Sequence, residues 1–410
     1  MKIAIIGAGV VGVTTAYMLA KSGHEISVFD REPRAAMESS FANGGQLSYG
    51  FASPMGTPAL LGKIPGILLG SDPAFRLPSV LSLDFMRWSA QFLGHCRSKQ
   101  SLQDATALAS LALRSGDVFK QIFSDVSFDF GHRNTHKLVL LKRDKDLRIA
   151  EGSADTSRRE VLSWQECVDR EPALNAYKGD AAGGVWIEGD EVGDAARFSE
   201  QMVTYCERAF GVEFVFNADV MDISEMRNGH RVIALSSGET RAFDAVVVCT
   251  GVAGTKLLRR VDIRLPIYPV MGYSLTAPLG KQPPDVAVTD ASSKIVFSRI
   301  GEHIRIAGFA DFGIASEERR RQRVQDLVQT VRTLIPDVAD YSRITSTWIG
   351  ARPATPSSLP IVRPSKAVGV YLNMGHGMFG WTLSAGAAQS LADIIGPATR
   401  SSRAASGGKT

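Results

Sequence analysis

The chain has 410 residues, a length that predicts about two to three domains rather than one hydrophobic core. Hydrophobic residues make up 44% of the sequence and charged residues 21%, so the composition excludes a disordered, collagen-like or coiled-coil chain. The 46 basic and 42 acidic residues leave a net charge of only +4, which gives no support for a nucleic-acid-binding protein.

The four cysteines are far apart, at positions 96, 167, 206 and 249. The sequence has no Cys-x-x-Cys pair and no histidine at zinc-ligand spacing beside them, so neither a disulfide framework nor a metal site is predicted. The scattered thiols and the small net charge favour a reducing cytoplasm.

The amino-terminal apolar run leads into glycines without an Ala-x-Ala cleavage site, so no export signal is predicted. Residues 39–62 carry no charge, but their glycines and prolines would break any helix. A membrane-spanning segment is therefore not expected there.

The first thirty residues follow the pattern of a dinucleotide-binding βαβ unit. Residues 2–6 (KIAII) predict a buried parallel strand, and residues 10–21 predict an apolar helix that stops at Gly23. The glycine turn GAGVVG lies between them, and a second strand over residues 24–29 ends at Asp30.

Each residue of this pattern has a physical task. Gly7 allows a tight turn, Gly9 lets the backbone approach a pyrophosphate, and Gly12 lets the helix pack closely on the strand. The helix N-terminus offers N–H groups to the phosphates. Asp30 can accept both ribose hydroxyls and would repel a 2′-phosphate, so NADP is disfavoured.

The stretch Glu38-Ser-Ser-Phe-Ala-Asn-Gly-Gly-Gln46 is too polar and glycine-rich for the next strand and helix of an NAD domain. Its small residues and amides suit backbone that runs beside a pyrophosphate–ribityl chain and a flavin ring. An ordinary surface loop is the alternative.

The pattern resumes after Asp194, a predicted N-cap for a helix that extends to Phe210. One strand is predicted over residues 211–223 and a hairpin strand over residues 231–237. An apolar strand then ends at Thr250-Gly251, and the carboxyl end of such a strand belongs at the cofactor crevice of a doubly wound sheet.

Near the carboxyl terminus, WIGARPATPSSLPIV (348–362) leads to VGVYLNMGHGMFGWTLSAGAAQSLADIIG (368–396). A strand, a glycine-rich turn and a helix make a second element of the phosphate-cradle type. A helix N-terminus of this kind can face an electron-rich flavin oxygen.

The basic stretch Arg319 to Arg323 is predicted to belong to an amphipathic helix with an acidic first turn, not to a binding patch.

These motifs carry a family resemblance. GAGVVG with Asp30, SSFANGGQ, VVVCTG, GARPATPSSLPIV and NMGHGMFGWTLSAG resemble the D-amino-acid oxidase superfamily of flavoproteins, and most closely its D-amino-acid dehydrogenases. The resemblance covers residues 1 to about 396. It implies an α/β fold in which a Rossmann-like FAD-binding domain is interleaved with an α+β substrate domain built on an antiparallel sheet.

In this layout, residues 1–48, 195–262 and 344–398 form the FAD-binding domain, residues 49–194 and 263–343 form the substrate domain, and residues 399–410 are a disordered tail. LPIYPVMGYSLTA and the pair KIVFSRI and HIRIAGF alternate like antiparallel strands around a turn at Gly301. The residues expected to contact FAD are Gly7, Gly9, Val10, Val11, Gly12, Asp30, Arg31, Ser39, Asn43, Gly44, Gly45, Gln46, Val220, Thr250, Gly251, Gly375, His376, Gly377, Gly380, Trp381 and Thr382.

The resemblance implies oxidative deamination of D-amino acids to 2-oxo acids and ammonia, with hydride transfer to flavin N5. Arg352, in the intact Gly-x-Arg-Pro motif, would clamp the substrate carboxylate, with a structural ion pair as the alternative. Tyr273 and Tyr49 would give hydroxyls to that carboxylate or be packed aromatics. His376 would touch the substrate or the reduced ring, or be purely structural.

The physiological acceptor is expected to be a quinone or an electron carrier. In the sarcosine-oxidase branch a similar Gly-His-Gly motif is followed two residues later by a lysine, and Phe379 stands in that place here. The absence of any cysteine after Cys249 also argues against a cysteinyl-linked flavin at the carboxyl-terminal motif.

Residues 51–93 are predicted to be either an apolar flap in the membrane interface, placing the protein peripherally on the cytoplasmic face of the inner membrane, or a lid over the substrate. Three other functions remain open. They are an oxygen-using oxidase of glycine or sarcosine, a dehydrogenase of proline-like imino acids, and a non-enzymatic flavin-binding subunit of a larger complex.

Overall fold

A computed structural model describes residues 1–70, 74–77, 82–152, 158–226 and 229–398. Eleven α-helices lie in these ranges: α1 Val10–Lys21, α2 Pro58–Leu61, α3 Ile64–Leu68, α4 Leu83–His95, α5 Ser98–Asp125, α6 Asp144–Glu151, α7 Trp164–Arg170, α8 Ala195–Phe210, α9 Gly254–Arg260, α10 Glu317–Leu334 and α11 Gly380–Ile395. Short 3₁₀ turns occupy Pro172–Ala176 and Gly377–Phe379.

Twenty-one strands lie in the same ranges. They are β1 Lys2–Ile6, β2 Glu25–Phe29, β3 Gln46–Leu47, β4 Phe75–Arg76, β5 Arg133–Asn134, β6 Lys137–Leu141, β7 Arg159–Ser163, β8 Gly183–Ile187, β9 Glu191–Val192, β10 Glu213–Val215, β11 Val220–Glu225, β12 Arg231–Leu235, β13 Thr240–Phe243, β14 Ala245–Val248, β15 Tyr268–Pro278, β16 Ala287–Asp290, β17 Ile295–Ile300, β18 His303–Phe312, β19 Ser346–Ala354, β20 Ile361–Pro364 and β21 Val370–Met374.

A six-stranded sheet in the order β10-β2-β1-β14-β21-β20 forms the nucleotide-binding half, and it is parallel except at β20. Helix α1 packs against α8 and α11 on one face of the sheet, while β11, β12, β13 and α9 cover the other. Because both faces are covered, Ile3, Ala4 and Ile5 of the central strand are fully buried. The strand is therefore a continuous apolar run.

A second, mixed sheet has nine strands, eight of them in the order β19-β15-β18-β17-β16-β6-β8-β7, with β4 paired to β18. Its pairs are antiparallel except β16 with β6 and β18 with β4. Helix α10 packs on it through Leu327 and Val331. The predicted hairpin of β17 and β18 is confirmed, and Gly301 in its turn has a φ of +58°.

The α/β architecture with interleaved segments is confirmed, and two details differ from the sequence prediction. Residues 211–223 form two strands in different sheets rather than one, and Asn217 between them has a left-handed φ of +55°. Strand β19, placed by the sequence with the FAD-binding segments, is hydrogen-bonded to β15 in the mixed sheet. The predicted tail, residues 399–410, lies outside the described residues.

Within the ranges that the structure describes, no helix is both long and apolar enough to cross a membrane.

Candidate active site

The glycine turn after β1 has the geometry that its sequence predicts. Gly7 has a φ of +103°, and a Cβ on Gly12 would lie 1.8 Å from the Gly7 carbonyl oxygen. The Ala8 amide donates to the Asp30 carboxylate at 2.5 Å, so the turn and the end of β2 are tied together. Only glycine allows the start of α1 to approach this closely.

The loop after β2 lies against the N-terminus of α1. The Val10 amide donates to Ser40 Oγ at 3.1 Å, and a Cβ on Gly9 would lie 3.4 Å from the same oxygen. Burial raises the pKa of Asp30, although two backbone amides donate to its carboxylate. Arg31 forms an exposed ion pair with Glu38. An acidic group thus follows β2 beside the N-terminus of α1.

The polar stretch 39–46 runs along the junction of the two sheets. Ser39 donates its hydroxyl to the Ala351 carbonyl at 2.6 Å, and the Asn43 side chain accepts from the Gly45 amide at 2.9 Å. Three side chains of the mixed sheet donate to its carbonyls: Ser274 to Ala42, Arg305 to Asn43 and Ser298 to Gly44. The stretch is therefore held through its backbone carbonyl groups, as expected for a segment beside a cofactor.

Of two further predicted elements, the one at Thr250 and Gly251 lies near Pro353 of β19, and the one at Val220 does not adjoin the mixed sheet. Thr250 follows β14, and its buried Oγ1 has no hydrogen-bond partner in the described structure. Gly251 has a φ of +55°, and the nearest atom to a Cβ there is 4.0 Å away. Val220, the first residue of β11, is buried in the apolar cluster that also contains Phe29.

The carboxyl-terminal glycine turn precedes α11. Gly375 and Gly377 have φ angles of +81° and +54°, and a Cβ on Gly377 would meet nothing within 4 Å. His376 is 3% exposed, its Nε2 has no partner among the described residues, and burial lowers its pKa to about 3. Past the start of α11, Trp381 donates to the Gly193 carbonyl, and Thr382 accepts from the Ser48 amide at 3.0 Å.

Arg352 projects from β19 across β15. Its guanidinium lies over Gly272, where a Cβ would come within 2.3 Å of it, and one nitrogen donates to the Phe309 carbonyl at 2.8 Å. Burial lowers its pKa to about 10, so the side chain stays cationic at neutral pH. Arg352 lines a cavity whose other lining residues are Met55, Val270, Ala354, Thr355, Ser358, Gly377, Met378 and Phe379.

The two tyrosines have protein partners instead of lining this cavity. The Tyr273 hydroxyl donates to Asp311 Oδ2 at 2.9 Å, and the ring is fully buried. The Tyr49 hydroxyl donates to Glu191 at 3.3 Å, with its ring packed on Gly116. Both observations favour the packed-aromatic alternative over a direct role at a substrate carboxylate.

Sequence reasoning missed three buried charged residues near these elements. Asp311 and Arg323 pair where α10 packs on the mixed sheet, and Lys137 donates to Gln46 and Ser48. One signal was available for Arg323, because it lies four and eight residues before the buried Leu327 and Val331 and so on the inner face of α10. No local signal marks the other two.

A glycine turn on a largely parallel sheet, an acid at the end of β2, and a second sheet carrying a half-buried guanidinium point to the class of flavin-dependent oxidoreductases. The model of the FAD dependent oxidoreductase family matches residues 2–394, and the chain belongs to this family. It is an enzyme of the oxidoreductase class, and FAD is its cofactor.

Curated relatives carry a more specific name. The D-amino acid dehydrogenase of Rhizobium johnstonii is 33% identical over 403 residues, covering 97% of this chain and 96% of the relative. D-amino acid dehydrogenase 2 of Ralstonia nicotianae is 35% identical over 413 residues, covering 96% of each. The Xanthobacter autotrophicus D-amino acid dehydrogenase is 36% identical over 406 residues, covering 97% and 95%.

Solved structures support the fold. Glycine oxidase from Bacillus cereus superimposes with a TM-score of 0.71 at 19% identity, covering 96% of this chain and 94% of that one. L-proline dehydrogenase from P. horikoshii gives a TM-score of 0.67 at 16% identity, covering 96% and 92%.

The residues present fit FAD. Asp30 stands at the end of β2, where its carboxylate would accept hydrogen bonds from the hydroxyls of an adenosine ribose. Thr250 Oγ1 and His376 Nε2 are buried polar atoms with no partner in the described ranges, and such atoms call for a ligand or water. Open space at Gly377 adjoins the cavity that Arg352 lines.

Proposed function

We propose that this enzyme oxidatively deaminates D-amino acids to 2-oxo acids and ammonia, and that its electrons pass to a quinone or an electron carrier. The observation that carries the proposal is the half-buried Arg352 guanidinium in a cavity bounded by the Gly377–Phe379 turn. The names of the curated relatives support the choice of D-amino acids.

Arg352 binds the substrate carboxylate in this proposal. Its guanidinium forms no ion pair among the described residues, and its hydrogen bond to Phe309 uses one nitrogen. A bidentate clamp fixes the amino acid in one orientation, which presents Cα to one side of the cavity. The apolar side chains of Met55 and Phe379 form part of the remaining walls.

FAD, when bound, supplies the acceptor for the hydride that leaves the substrate Cα, and water then hydrolyses the resulting imine. Asp30 would hold the ribose, the amides after Gly7 would hold the pyrophosphate, and segment 39–46 with Thr250 and the 375–382 turn would line the rest. His376, neutral because of its low pKa, would donate or accept one hydrogen bond without adding charge.

Residues 51–93, which precede α5, support two roles, a lid over the substrate and a contact with the membrane interface. Phe85, Trp88 and Phe92 of α4 are buried, and the Trp88 indole donates to the Ala354 carbonyl at the cavity wall at 2.9 Å. Other apolar side chains of the segment face outward, with Leu69 84% exposed and Leu83 66% exposed. The inner face thus acts as a lid, and the outer face would rest on the cytoplasmic side of the inner membrane, where quinone is dissolved.

Anaerobic titration of the purified yellow holoenzyme with D-alanine, L-alanine, sarcosine and L-proline tests the substrate class. Bleaching of the visible flavin absorbance by D-alanine alone is expected. No bleaching by any D-amino acid would refute the proposal. Bleaching by L-proline or sarcosine would instead support an imino-acid dehydrogenase or a glycine/sarcosine-type oxidase.

The acceptor is tested on the same reduced sample. A water-soluble quinone analogue should restore the flavin absorbance much faster than air-saturated buffer does. Fast reoxidation in air would contradict the dehydrogenase assignment. Sedimentation with anionic vesicles, compared between the wild type and L69S/L83S, tests the membrane contact separately.

A further inference from the structure

One wall of the cavity that Arg352 lines comes from a loop. Met55 lies in this loop, between β3 and α2, and its side chain is half-buried. It packs against the apolar cluster that contains Trp88 and Phe92, whose rings are stacked with their centres 4.9 Å apart. The Met55 side chain therefore separates the cavity from the apolar side chains of α4.

Hydrogen bonds fix the loop on both sides of the Met55 side chain. The Met55 amide donates to Ser358 Oγ at 3.0 Å, and the Ser101 hydroxyl of α5 donates to the Gly56 carbonyl at 2.9 Å. Gly56 also packs closely on α4, since a Cβ there would lie 3.3 Å from the Phe92 ring. The backbone at Met55 is thus held against the cavity by three separate elements.

The residue that accepts from Met55 has an unusual backbone conformation. Ser358 has a φ of +64°, in the left-handed region that residues other than glycine seldom adopt. Its own amide donates to the Thr355 carbonyl at 3.2 Å, and both residues line the cavity. Such strain persists where the surrounding structure enforces it, commonly beside a binding site. Here it coincides with the hydroxyl that holds the Met55 amide.

The cavity walls are uncharged apart from Arg352. Among the described residues that line the cavity, five have apolar side chains, namely Met55, Val270, Ala354, Met378 and Phe379. The two hydroxyls already have protein partners, since Thr355 donates to the Leu359 carbonyl and Ser358 accepts from Met55. A ligand with one carboxylate and an apolar side chain matches these walls, whereas a second charge would find no partner.

The free volume of the cavity is about 10 Å³, close to what a single water molecule requires. A substrate side chain therefore enters only where a wall side chain gives way. Val270 and Ala354 are buried within strands, and Met378 is 49% exposed, so much of its surface faces solvent. Met55 has a flexible, unbranched side chain with an apolar cluster behind it. How far it can be displaced sets the space for a ligand.

We propose that Met55 determines substrate specificity, by setting the size limit for the side chain of a carboxylate ligand bound to Arg352, and that Ser358 is the positioning residue that holds it there. The inference rests on the proposed carboxylate-binding role of Arg352. It narrows the substrate class to amino acids with small, uncharged side chains.

The test compares two carboxylates through the shift that each causes in the absorption spectrum of the oxidised holoenzyme. Propionate and 3-phenylpropionate are alanine and phenylalanine without their amino groups, so they differ only in the size of the side chain. The wild type should bind propionate more tightly. In M55A the dissociation constant of 3-phenylpropionate, divided by that of propionate, should fall about tenfold or more, because the ring can enter the space that Met55 leaves.

M86A is the matched control, since Met86 of α4 is 46% exposed and is not among the residues that line the cavity. Its ratio of dissociation constants should equal that of the wild type. S358A tests the positioning role, and its ratio should fall about threefold while propionate affinity is retained. A purely structural role for Ser358 would weaken the binding of both carboxylates equally.

An unchanged ratio in M55A would overturn the proposal, and so would an equal loss of affinity for both carboxylates. If M55A does not retain flavin, M55V decides, because it removes fewer atoms, and its ratio should fall about threefold or more. An unchanged ratio in M55V would then overturn the proposal.

Glutarate tests the restriction to uncharged side chains, because it is glutamate without its amino group. It should bind to the wild type about tenfold more weakly than propionate, or weaker still, since its second carboxylate has no cation in the cavity. Comparable affinity for the two acids would contradict the restriction.

Carboxylate binding requires no turnover. A failure of the proposed D-amino-acid activity would appear in the anaerobic titration of the wild type, whereas a failure of this inference would appear in the ratios of dissociation constants.

Discussion

Lys137 donates a hydrogen bond from its ammonium group to the Oγ atom of Ser48, with the two atoms 2.7 Å apart. The same nitrogen donates to Gln46 Oε1 at 2.9 Å. Lys137 begins β6 of the mixed sheet, whereas Gln46 ends the stretch proposed to lie beside FAD. A buried charge therefore joins the mixed sheet to the proposed cofactor segment.

Burial lowers the pKa of Lys137 from 10.5 to about 8, and this predicts a pH effect on folding. Between these values the unfolded chain holds a proton that the folded chain has lost, so the free energy of unfolding should rise with pH across this window. In K137M this contribution is absent. Urea unfolding of the wild type and K137M near pH 8 and near pH 10.5 measures the difference.

The comparison isolates one group, because all other titrations are shared by the two proteins. Equal pH dependence in the wild type and K137M would show that Lys137 is not desolvated in the folded protein. A fall in stability with pH specific to the wild type would contradict the sign worked out above.

Gly12→Ala should abolish stable FAD binding. A Cβ there would lie 1.8 Å from the Gly7 carbonyl oxygen, so α1 must move away from the turn that is proposed to hold the pyrophosphate. The flavin content after gel filtration measures the effect. G94A is the matched control, because a Cβ at Gly94 in α4 meets nothing within 4 Å, and its stability should be unchanged or higher by up to about 1 kcal/mol.

Arg352→Ala should weaken substrate binding by about 1.5–3 kcal/mol, the cost of losing a charge-assisted hydrogen bond, or more if both bonds of the clamp are lost. The flavin content should stay at the wild-type level, since the side chain lines the cavity. Steady-state kinetics with a D-amino acid and binding of propionate give two independent readouts. Unchanged kinetics in a variant that retains flavin would exclude the clamp.

His376→Gln should make the enzyme less sensitive to acid. Burial lowers the pKa of His376 from 6.5 to about 3, so below pH 6.5 the unfolded chain takes up a proton that the folded chain refuses. The wild type should lose about 2 kcal/mol of stability between pH 6.5 and pH 5 through this group, and the variant should not. Thermal unfolding of both holoenzymes at the two pH values measures the loss. Parallel losses would show that His376 is protonated in the fold.

Local patterns predicted the nucleotide-binding elements well, because their chemistry is contained in short stretches. The turn around Gly7, the helix α1 and the N-cap Asp194 all follow from residues within a few positions of one another. The hairpin at Gly301 is local in the same sense. Each of these elements forms where the sequence predicts it.

Pairing between distant segments could not be predicted in the same way. The residues of β19 alone do not show which of the two sheets the strand joins. Its pairing with β15, in which Gly350 lies opposite Gly272, places Arg352 over β15. The sequence analysis interpreted Arg323 only as one of several basic residues on an amphipathic helix. Its ion-pair partner Asp311 lies on a different element, so the pair has no signal in the local sequence. Side chains whose function depends on such partners require the three-dimensional structure.

The central strand β1 is flanked by β2, only about twenty residues later, and by β14, whose partners for Ile3 to Ile6 are residues 245–248. During synthesis one edge of β1 therefore remains unpaired until more than half of the chain has been made. The other edge of β14 remains unpaired until β21, near the end of the chain, has been made. Such long-range closure is expected to slow folding and to make the nascent chain depend on chaperones, whereas β15, β17 and β18 can assemble locally.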